Sequence, residues 1–373
     1  MKNKNNWETI LHQLLNRDDL TKEQAKWVMI EIMTGQATDA KLGAVLALLA
    51  QKGERTPEIE GFAEGMIEHA VPLEGVGGET LDIVGTGGDH VNSVNISTMA
   101  SVVIASCGIK VLKHGNRASS SMSGSADVLG ELGLNLDLSP KDVARVANDA
   151  GISFAFAQTF HPAMKYSAPI RKDLAIHTVF NLLGPLTNPG RPEKVVIGVA
   201  DEKYARLIAE VFASRGEEGF VFNVFDDNGT KLDELAAAVH GDLYEIRDGK
   251  ISLTDFDPEA MKKTVGLETI AISDLRGGSP EHNAEVAREV FRGVGSKLSD
   301  SQSERAIYQT VILNAAAGIV ADGKLIPVEL KSENDPFANL VERLSFAYKL
   351  ASESVISGKT EEKLNQWVKE SNR

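Results

Sequence analysis

The sequence predicts an α/β protein: a small all-helical N-terminal domain, then a larger α/β domain whose mostly parallel central sheet is covered by helices. Three observations carry the prediction. Between residue 7 and about residue 70, apolar residues recur only at helical spacing. After the glycine-rich stretch 75–78, short β-branched runs alternate with helical segments, the pattern of parallel strands buried on both faces. Beyond residue 280, helical patterns return alone.

In order along the chain, Trp7, Ile10, Leu11, Leu14 and Leu15 form the apolar stripe of a first helix. Thr21 with Gln24 is a capping-box pattern for a second, which stops near Gly35. Thr38 opens a third, with Leu42, Val45, Leu46 and Leu49 on its buried face, and Thr56-Pro57 supplies N-cap and N1 of a fourth. Strands are expected at 81–84, 110–112, 152–156, 195–199 and 219–225. Helices are expected between them at 96–107, 125–132 and 140–150, and again at 280–292, 303–321 and 336–358. The segment 161–189 holds Pro162, Pro169, Pro185 and Pro189 and is expected to cross between domains. The domains are therefore drawn as 1–75, joined by part of 165–190, and 76–373. The polar stretch 293–304 is expected to be a surface insertion.

Charge and composition narrow the function. The net charge is -14, which opposes general binding to nucleic acid or an anionic membrane but permits a local basic pocket. A single cysteine, Cys107, rules out an intrachain disulfide framework and fits a reducing compartment. The first residues lack the apolar core of a signal peptide, and no run approaches the roughly 18 apolar residues that span a bilayer. A cytoplasmic setting is expected. The N-x-S/T matches at Asn95 and Asn228 are then not glycosylation sites.

The chemistry concentrates after two strands. Gly85-Thr86-Gly87-Gly88-Asp89 follows the first strand. Its glycines permit positive φ and let backbone N–H groups approach an anion. Asn95-Ile96-Ser97-Thr98 then starts a helix whose N-terminus favours phosphate. A plain tight turn has the same glycines, and neither the Walker nor the dinucleotide spacing is present. The second cluster, Lys113-His114-Gly115-Asn116-Arg117 followed by a serine-rich run to Ser125, is read as a loop after the next strand. In a parallel sheet both clusters belong at the carboxyl edge, where ligands bind. Lys113 offers a point charge for phosphate. Asp233-Glu234 is either a solvated turn or, facing a diphosphate, a Mg²⁺ site. Asp226-Asp227-Asn228-Gly229 lacks the spaced ligands of a calcium loop and is read as a turn. No histidine spacing resembles a zinc site.

Taken together, GTGGD, NIST, KHGNR with SGSADVL, HPAMKYSAPIRKDL and VFNLLGPLTNP closely resemble the anthranilate phosphoribosyltransferases, over essentially the whole chain. The resemblance implies a helical small domain, a larger α/β domain and a homodimer formed through the helical domains. It implies transfer of the phosphoribosyl group of 5-phosphoribosyl 1-pyrophosphate (PRPP) to the amine of anthranilate, releasing pyrophosphate, in tryptophan biosynthesis. It places PRPP on Gly85, Thr86, Gly87, Gly88, Asp89, Asn95, Ser97, Thr98, Lys113, Ser119, Ser120 and Ser125. Anthranilate falls to Gly85, His114, Asn116, His161, Arg171 and Gly184, and Mg²⁺ to Ser97, Asp233 and Glu234. The chemistry needs no covalent or acid–base residue: the aromatic amine is neutral at pH 7, so positioning and electrostatics suffice. Three positions depart from the family pattern: Phe160 where tyrosine is common, Met122 in the serine-rich loop, and His177 where arginine is frequent. A pyrimidine nucleoside phosphorylase is a rival of the same fold, though its glycine-rich and lysine-bearing motifs differ. A non-catalytic relative is a rival of another class, opposed by Arg171, Asp233 and Glu234.

Overall fold

The computed structural model describes residues 5–118, 122–332 and 334–373. The chain divides into two compact units, Met1–Pro72 with Ala157–Arg191, and Leu73–Phe156 with Pro192–Arg373.

The first unit is helical. Helix α1 (Trp7–Leu15) buries Ile10 and Leu14, and α2 (Lys22–Met33) begins in the capping box of Thr21 and Gln24. Helix α3 (Asp39–Lys52) buries Leu42, Val45, Leu46 and Leu49. Helix α4 (Thr56–Glu68) starts one residue earlier than the Thr56-Pro57 pattern predicts. The cause is Glu58, a buried carboxylate that accepts the N–H of Arg55 at 2.8 Å and so makes Arg55 the N-cap. Helices α2 and α4 pack closely because Gly61 and Gly65 leave a side-chain-free stripe. A Cβ on Gly61 would lie 2.2 Å from Lys22 O, and one on Gly65 2.8 Å from Met29 Cβ. The second segment of this unit adds short helices Ala168–Leu174, against α3, and Phe180–Leu186, against α4. Ile170 comes to Gly43 and the Tyr166 ring covers Gly35.

The second unit is built on strands β1 (Leu81–Gly85), β2 (Val111–Gly115), β3 (Ile152–Phe156), β4 (Lys194–Gly198), β5 (Glu218–Phe225), β6 (Lys231–Leu232), β7 (His240–Arg247) and β8 (Lys250–Phe256). Their order is β3-β2-β1-β4-β5-β7-β8, with β6 beside β5. Strands β1 to β5 are parallel; β6, β7 and β8 are antiparallel. The hairpin β7–β8 was not predicted. It turns on Asp248-Gly249, both at positive φ (50° and 68°), as a two-residue hairpin requires. Helices α5 (Ile96–Ser106), α6 (Ser125–Glu131) and α7 (Pro140–Ala150) connect the first strands. The helix Gln302–Asp322 is buried from Ala306 to its end and packs on α5, β4 and β5. It is buried on every side, as a central helix is, with Gln309, Thr310 and Asn314 as polar residues within it. The stretch expected as one helix at 336–358 is Leu340–Ile356. Gly358 then turns the chain into a further helix, Lys359–Ser371.

The parallel strands are near-continuous apolar runs, as burial on both faces demands. Their exceptions matter: Asp82, Lys113, His114, Ser153 and Asn223 are buried polar residues in strands.

Candidate functional site

Strands β1 and β4 end in register at Gly85 and Gly198, and Asp233 lies across both ends. A Cβ on Gly85 would fall 2.1 Å from Asp233 Oδ2, and one on Gly198 1.8 Å from Asp233 O. Only glycine fits at either strand end. The turn then continues through Gly87 and Gly88 at φ 70° and 86°. Gly87 N–H donates to Asp233 Oδ2 at 2.8 Å, while Thr86 is anchored to β4 by Thr86 N–H to Gly198 O at 2.8 Å and by Ala200 N–H to Thr86 Oγ1 at 3.2 Å. The GTGGD turn is therefore held open by contacts from β4 and Asp233.

Asp233 and Glu234 are not a solvated turn. Glu234 is 7% exposed and accepts the N–H of Ser97, in the first turn of α5, at 3.0 Å. Desolvation and the charge of Asp89 push the Asp233 carboxyl up to about 7. Burial and the charge of Asp233 raise Glu234 well above the usual carboxylate range, with Lys113 acting against the rise. Asp89 accepts the Val91 N–H on Oδ1 at 3.1 Å. Its Oδ2 is buried without any donor among the described residues, and the group beside it is another carboxyl, Asp233.

Lys113 is not in a loop: β2 runs on to Gly115, so Lys113 and His114 are strand residues. The Lys113 side chain is 1% exposed, and its ammonium donates to Ile83 O and, at 3.3 Å, to Ser97 Oγ. Burial lowers its proton affinity, opposed by the charges of Asp82, Glu234 and Asp233. His114 N–H donates to the buried Asp82 Oδ1 at 3.2 Å. Asn116 O accepts the N–H of Ala126 at 3.2 Å and Ser125 Oγ–H at 3.3 Å, which ties the end of β2 to the start of α6. Thr98 is buried in α5, and Asn95 is the N-cap residue of that helix. Ser119 and Ser120 lie outside the described residues.

Three predicted residues belong to the helical unit. His161 is buried, and its Nε2 meets Thr187 O at 2.9 Å; desolvation holds its pKa below the ordinary value, with the Thr187 carbonyl opposing. Arg171 lies 5.0 Å from the centre of the Phe180 ring. Among the described residues no carboxylate pairs with it, and desolvation lowers its proton affinity. Gly184 sits in the helix Phe180–Leu186, where a Cβ would meet nothing within 4 Å. Of the departures, Phe160 is fully buried, where a phenol would need a partner; Met122 is 61% exposed and His177 is exposed.

The model of the glycosyl transferase family helical bundle domain matches residues 8–70, and that of the family's a/b domain matches residues 77–335. Anthranilate phosphoribosyltransferase of Arthrobacter sp. (strain FB24) is 45% identical over 364 residues, 98% of this chain and 96% of that protein. The chain belongs to the anthranilate phosphoribosyltransferase family. The Streptomyces griseus enzyme is 42% identical over 98% of this chain and 95% of its own. Among solved structures, the Thermus thermophilus anthranilate phosphoribosyltransferase superposes with a TM-score of 0.82 at 35% identity, covering 98% of this chain and 99% of that one. The Saccharomyces cerevisiae enzyme, solved in complex with PRPP and Mg, gives 0.80 at 25% identity, covering 98% of each chain.

For this family member, the acids gathered beside the glycine turn fit a divalent cation. Crowding and burial push the Asp233 and Glu234 carboxyls up, a cost that a cation would relieve, and Asp89 Oδ2 has no hydrogen-bond partner among the described residues. No group of three or more His, Cys, Asp or Glu among the described residues forms a metal cage by itself. Mg²⁺ takes one or two carboxylates and completes its octahedron with phosphate and water. Two residues of the site escaped the sequence reading. Asp82 was visible only as an acid inside an apolar strand. Asp127 accepts the N–H groups of Ala118 (2.8 Å) and Gly124 (3.0 Å) and pairs with Arg117 at 3.0 Å. Against partial desolvation, those donors hold its carboxyl below the usual range and brace both ends of the serine-rich segment. Its signal was an acid three residues after Gly124, the N3 position of α6.

Proposed function

We propose that this chain transfers the phosphoribosyl group of PRPP to the amine of anthranilate, giving N-(5-phosphoribosyl)anthranilate and pyrophosphate in tryptophan biosynthesis. The observation that carries the reading is the GTGGD turn held against an Asp89–Asp233–Glu234 acid cluster, in a member of this family. The backbone N–H groups of the turn and the N-terminal end of α5, with Asn95, Ser97 and Thr98, hold the sugar diphosphate. Ser125 and the loop after β2 complete that side. Lys113 acts from beneath, as the positive charge that steadies the carboxylates and as the donor that fixes Ser97. Ser97, Asp233 and Glu234 would hold Mg²⁺, which when bound supplies positive charge to the departing pyrophosphate.

Arg171 binds the anthranilate carboxylate. A partly desolvated guanidinium with no acidic partner among the described residues, held over Phe180, is prepared for a planar anion on its exposed edge. His114, Asn116, His161 and Gly184 are assigned to the acceptor by resemblance. His161 is neutral at pH 7 and keeps the end of the helix Phe180–Leu186 in place through Thr187. The amine lone pair needs no strong base, so the protein's contribution is to hold reactants in line. The reading includes a cytoplasmic setting, supported by the single cysteine, and a homodimer through the helical unit, supported by the resemblance. No helix among the described residues is long and apolar enough to cross a membrane.

The test is the loss of anthranilate fluorescence with PRPP and Mg²⁺, omitting each in turn. Loss only in the complete mixture is expected; none in the complete mixture defeats the reading. Arg171→Ala is expected to raise the anthranilate KM by about 30- to 100-fold, the worth of a lost charge-assisted pair, with the PRPP KM within about twofold. Equal rises in both would remove Arg171 from the acceptor site.

A further inference from the structure

Asn283 stands in the first turn of the helix Pro280–Phe291, is 2% exposed, and belongs to none of the substrate motifs. Its amide sits in a chain of hydrogen bonds with one possible direction. Gly278 N–H donates to Asn283 Oδ1 at 2.8 Å, Asn283 Nδ2 donates to Asn95 Oδ1 at 2.9 Å, and Asn95 Nδ2 donates to Ser123 O at 3.1 Å. A backbone N–H can only donate and a backbone carbonyl can only accept, so the two ends fix the orientation of both amides between them. Turning either amide over would set like groups face to face.

The chain before this helix is docked on the segment that leads from the glycine turn to α5. Val94 N–H donates to Leu275 O at 2.9 Å and Gly277 N–H to Asn92 O at 2.8 Å. A Cβ on Gly277 would lie 2.8 Å from Ser93 O, so the two backbones are in direct contact. Asn95, although the N-cap residue of α5, makes no side-chain cap bond to that helix. Its amide is committed instead to Asn283 and Ser123. That leaves the first-turn N–H groups of α5 to other partners, as Ser97 N–H with Glu234 shows.

We propose that Asn283 is a positioning residue for the PRPP site, acting through Asn95 to set the Ser123 carbonyl and the start of α6 against the start of α5. The inference rests on the donor-site reading above. It gives a buried amide outside the substrate motifs a role at the site: the polarity of the relay, more than its bulk, sets the two loop ends.

The experiment is steady-state kinetics of Asn283→Asp, Asn283→Ala, Asn95→Ala and the Asn95→Ala/Asn283→Ala double variant, with melting temperatures in parallel. Asn283→Asp keeps the acceptor for Gly278 N–H but presents a second acceptor to Asn95, which must turn over and oppose the Ser123 carbonyl. It is expected to raise the PRPP KM by about tenfold, the scale of one misdirected buried hydrogen bond, with the anthranilate KM within about twofold. Adding Asn283→Ala to Asn95→Ala is expected to change the PRPP KM no further, because the relay is already cut. Full additivity, equal rises in both KM values, or a lowered melting temperature with an unchanged PRPP KM would each overturn the role. A wild-type protein that consumes neither substrate would overturn the donor-site reading and this role together; failure of the variants alone removes only the relay.

Discussion

Gly85→Ala is expected to lower kcat/KM for PRPP by about 10²- to 10³-fold, the effect of displacing reacting groups by an ångström or more. The backbone of Gly85 does not need positive φ, so the effect is one of space. The added methyl would stand 2.1 Å from Asp233 Oδ2 and 2.6 Å from Asp233 Cγ. Neither β1 nor β4 can retreat, because they are hydrogen-bonded in register from Leu81 to Gly85. Asp233 must move instead, and with it goes the bond that holds the Gly87 N–H. Steady-state kinetics with PRPP varied, beside a thermal melt, separates the site effect from lost stability. An unchanged PRPP KM and kcat would show that Asp233 does not shape the turn.

Asp233→Asn is expected to make the metal-free protein more stable at pH 8 while abolishing most of its activity. The carboxyl is pushed up to about 7 in the folded chain, from an ordinary value near 3.8. A raised acid means the folded state keeps its proton where the unfolded state has lost it, so this group's contribution to stability falls as pH rises from about 4 to about 7. Above that window the folded protein bears the full cost of a desolvated carboxylate beside Asp89. Asparagine removes the charge, keeps an acceptor for Gly87 N–H and offers Asp89 a donor. The expected gain is about 1–3 kcal/mol at pH 8, vanishing near pH 4, while turnover with Mg²⁺ and PRPP drops by about 100-fold or more. Urea unfolding at pH 4, 6 and 8 without divalent cations checks the sign. A variant that is less stable than the parent at pH 8 would contradict the charge-repulsion account.

Much of this was legible in the sequence, for local reasons. The stripes of the first helices, the Thr21–Gln24 box and the glycines after β1 each obey rules that act within a few residues. Lys113 was misplaced as a loop residue because the apolar run ends at Leu112. The strand continues because Lys113, His114 and Gly115 stay in register with Phe154, Ala155 and Phe156 of β3, a pairing invisible to periodicity, and Asp82 adds an acceptor for the His114 N–H. The hairpin β7–β8 does carry a local signal, the Asp248-Gly249 pair, but the runs on either side of it do not alternate cleanly. The burial of Asp233 and Glu234 had no local sign at all. Their surroundings come from β1, β4 and α5, brought in by the sheet. Asn283 is the extreme case, since its meaning depends on Asn95, far away in the chain.

The discontinuity of the helical unit bears on how the chain is made. Helices α1 to α4 leave the ribosome early, but the segment that covers Gly35 and Gly43 with Tyr166 and Ile170 comes only after the strands β1 to β3. At ordinary rates of synthesis the delay from Pro72 to Arg191 is on the order of 10 s. During that interval the nascent helices present an unfinished apolar face, and the three parallel strands emerging behind them lack β4, the neighbour that closes over β1. Nascent chains stalled before Ala157 should therefore be captured by chaperones far more readily than chains stalled beyond Gly198.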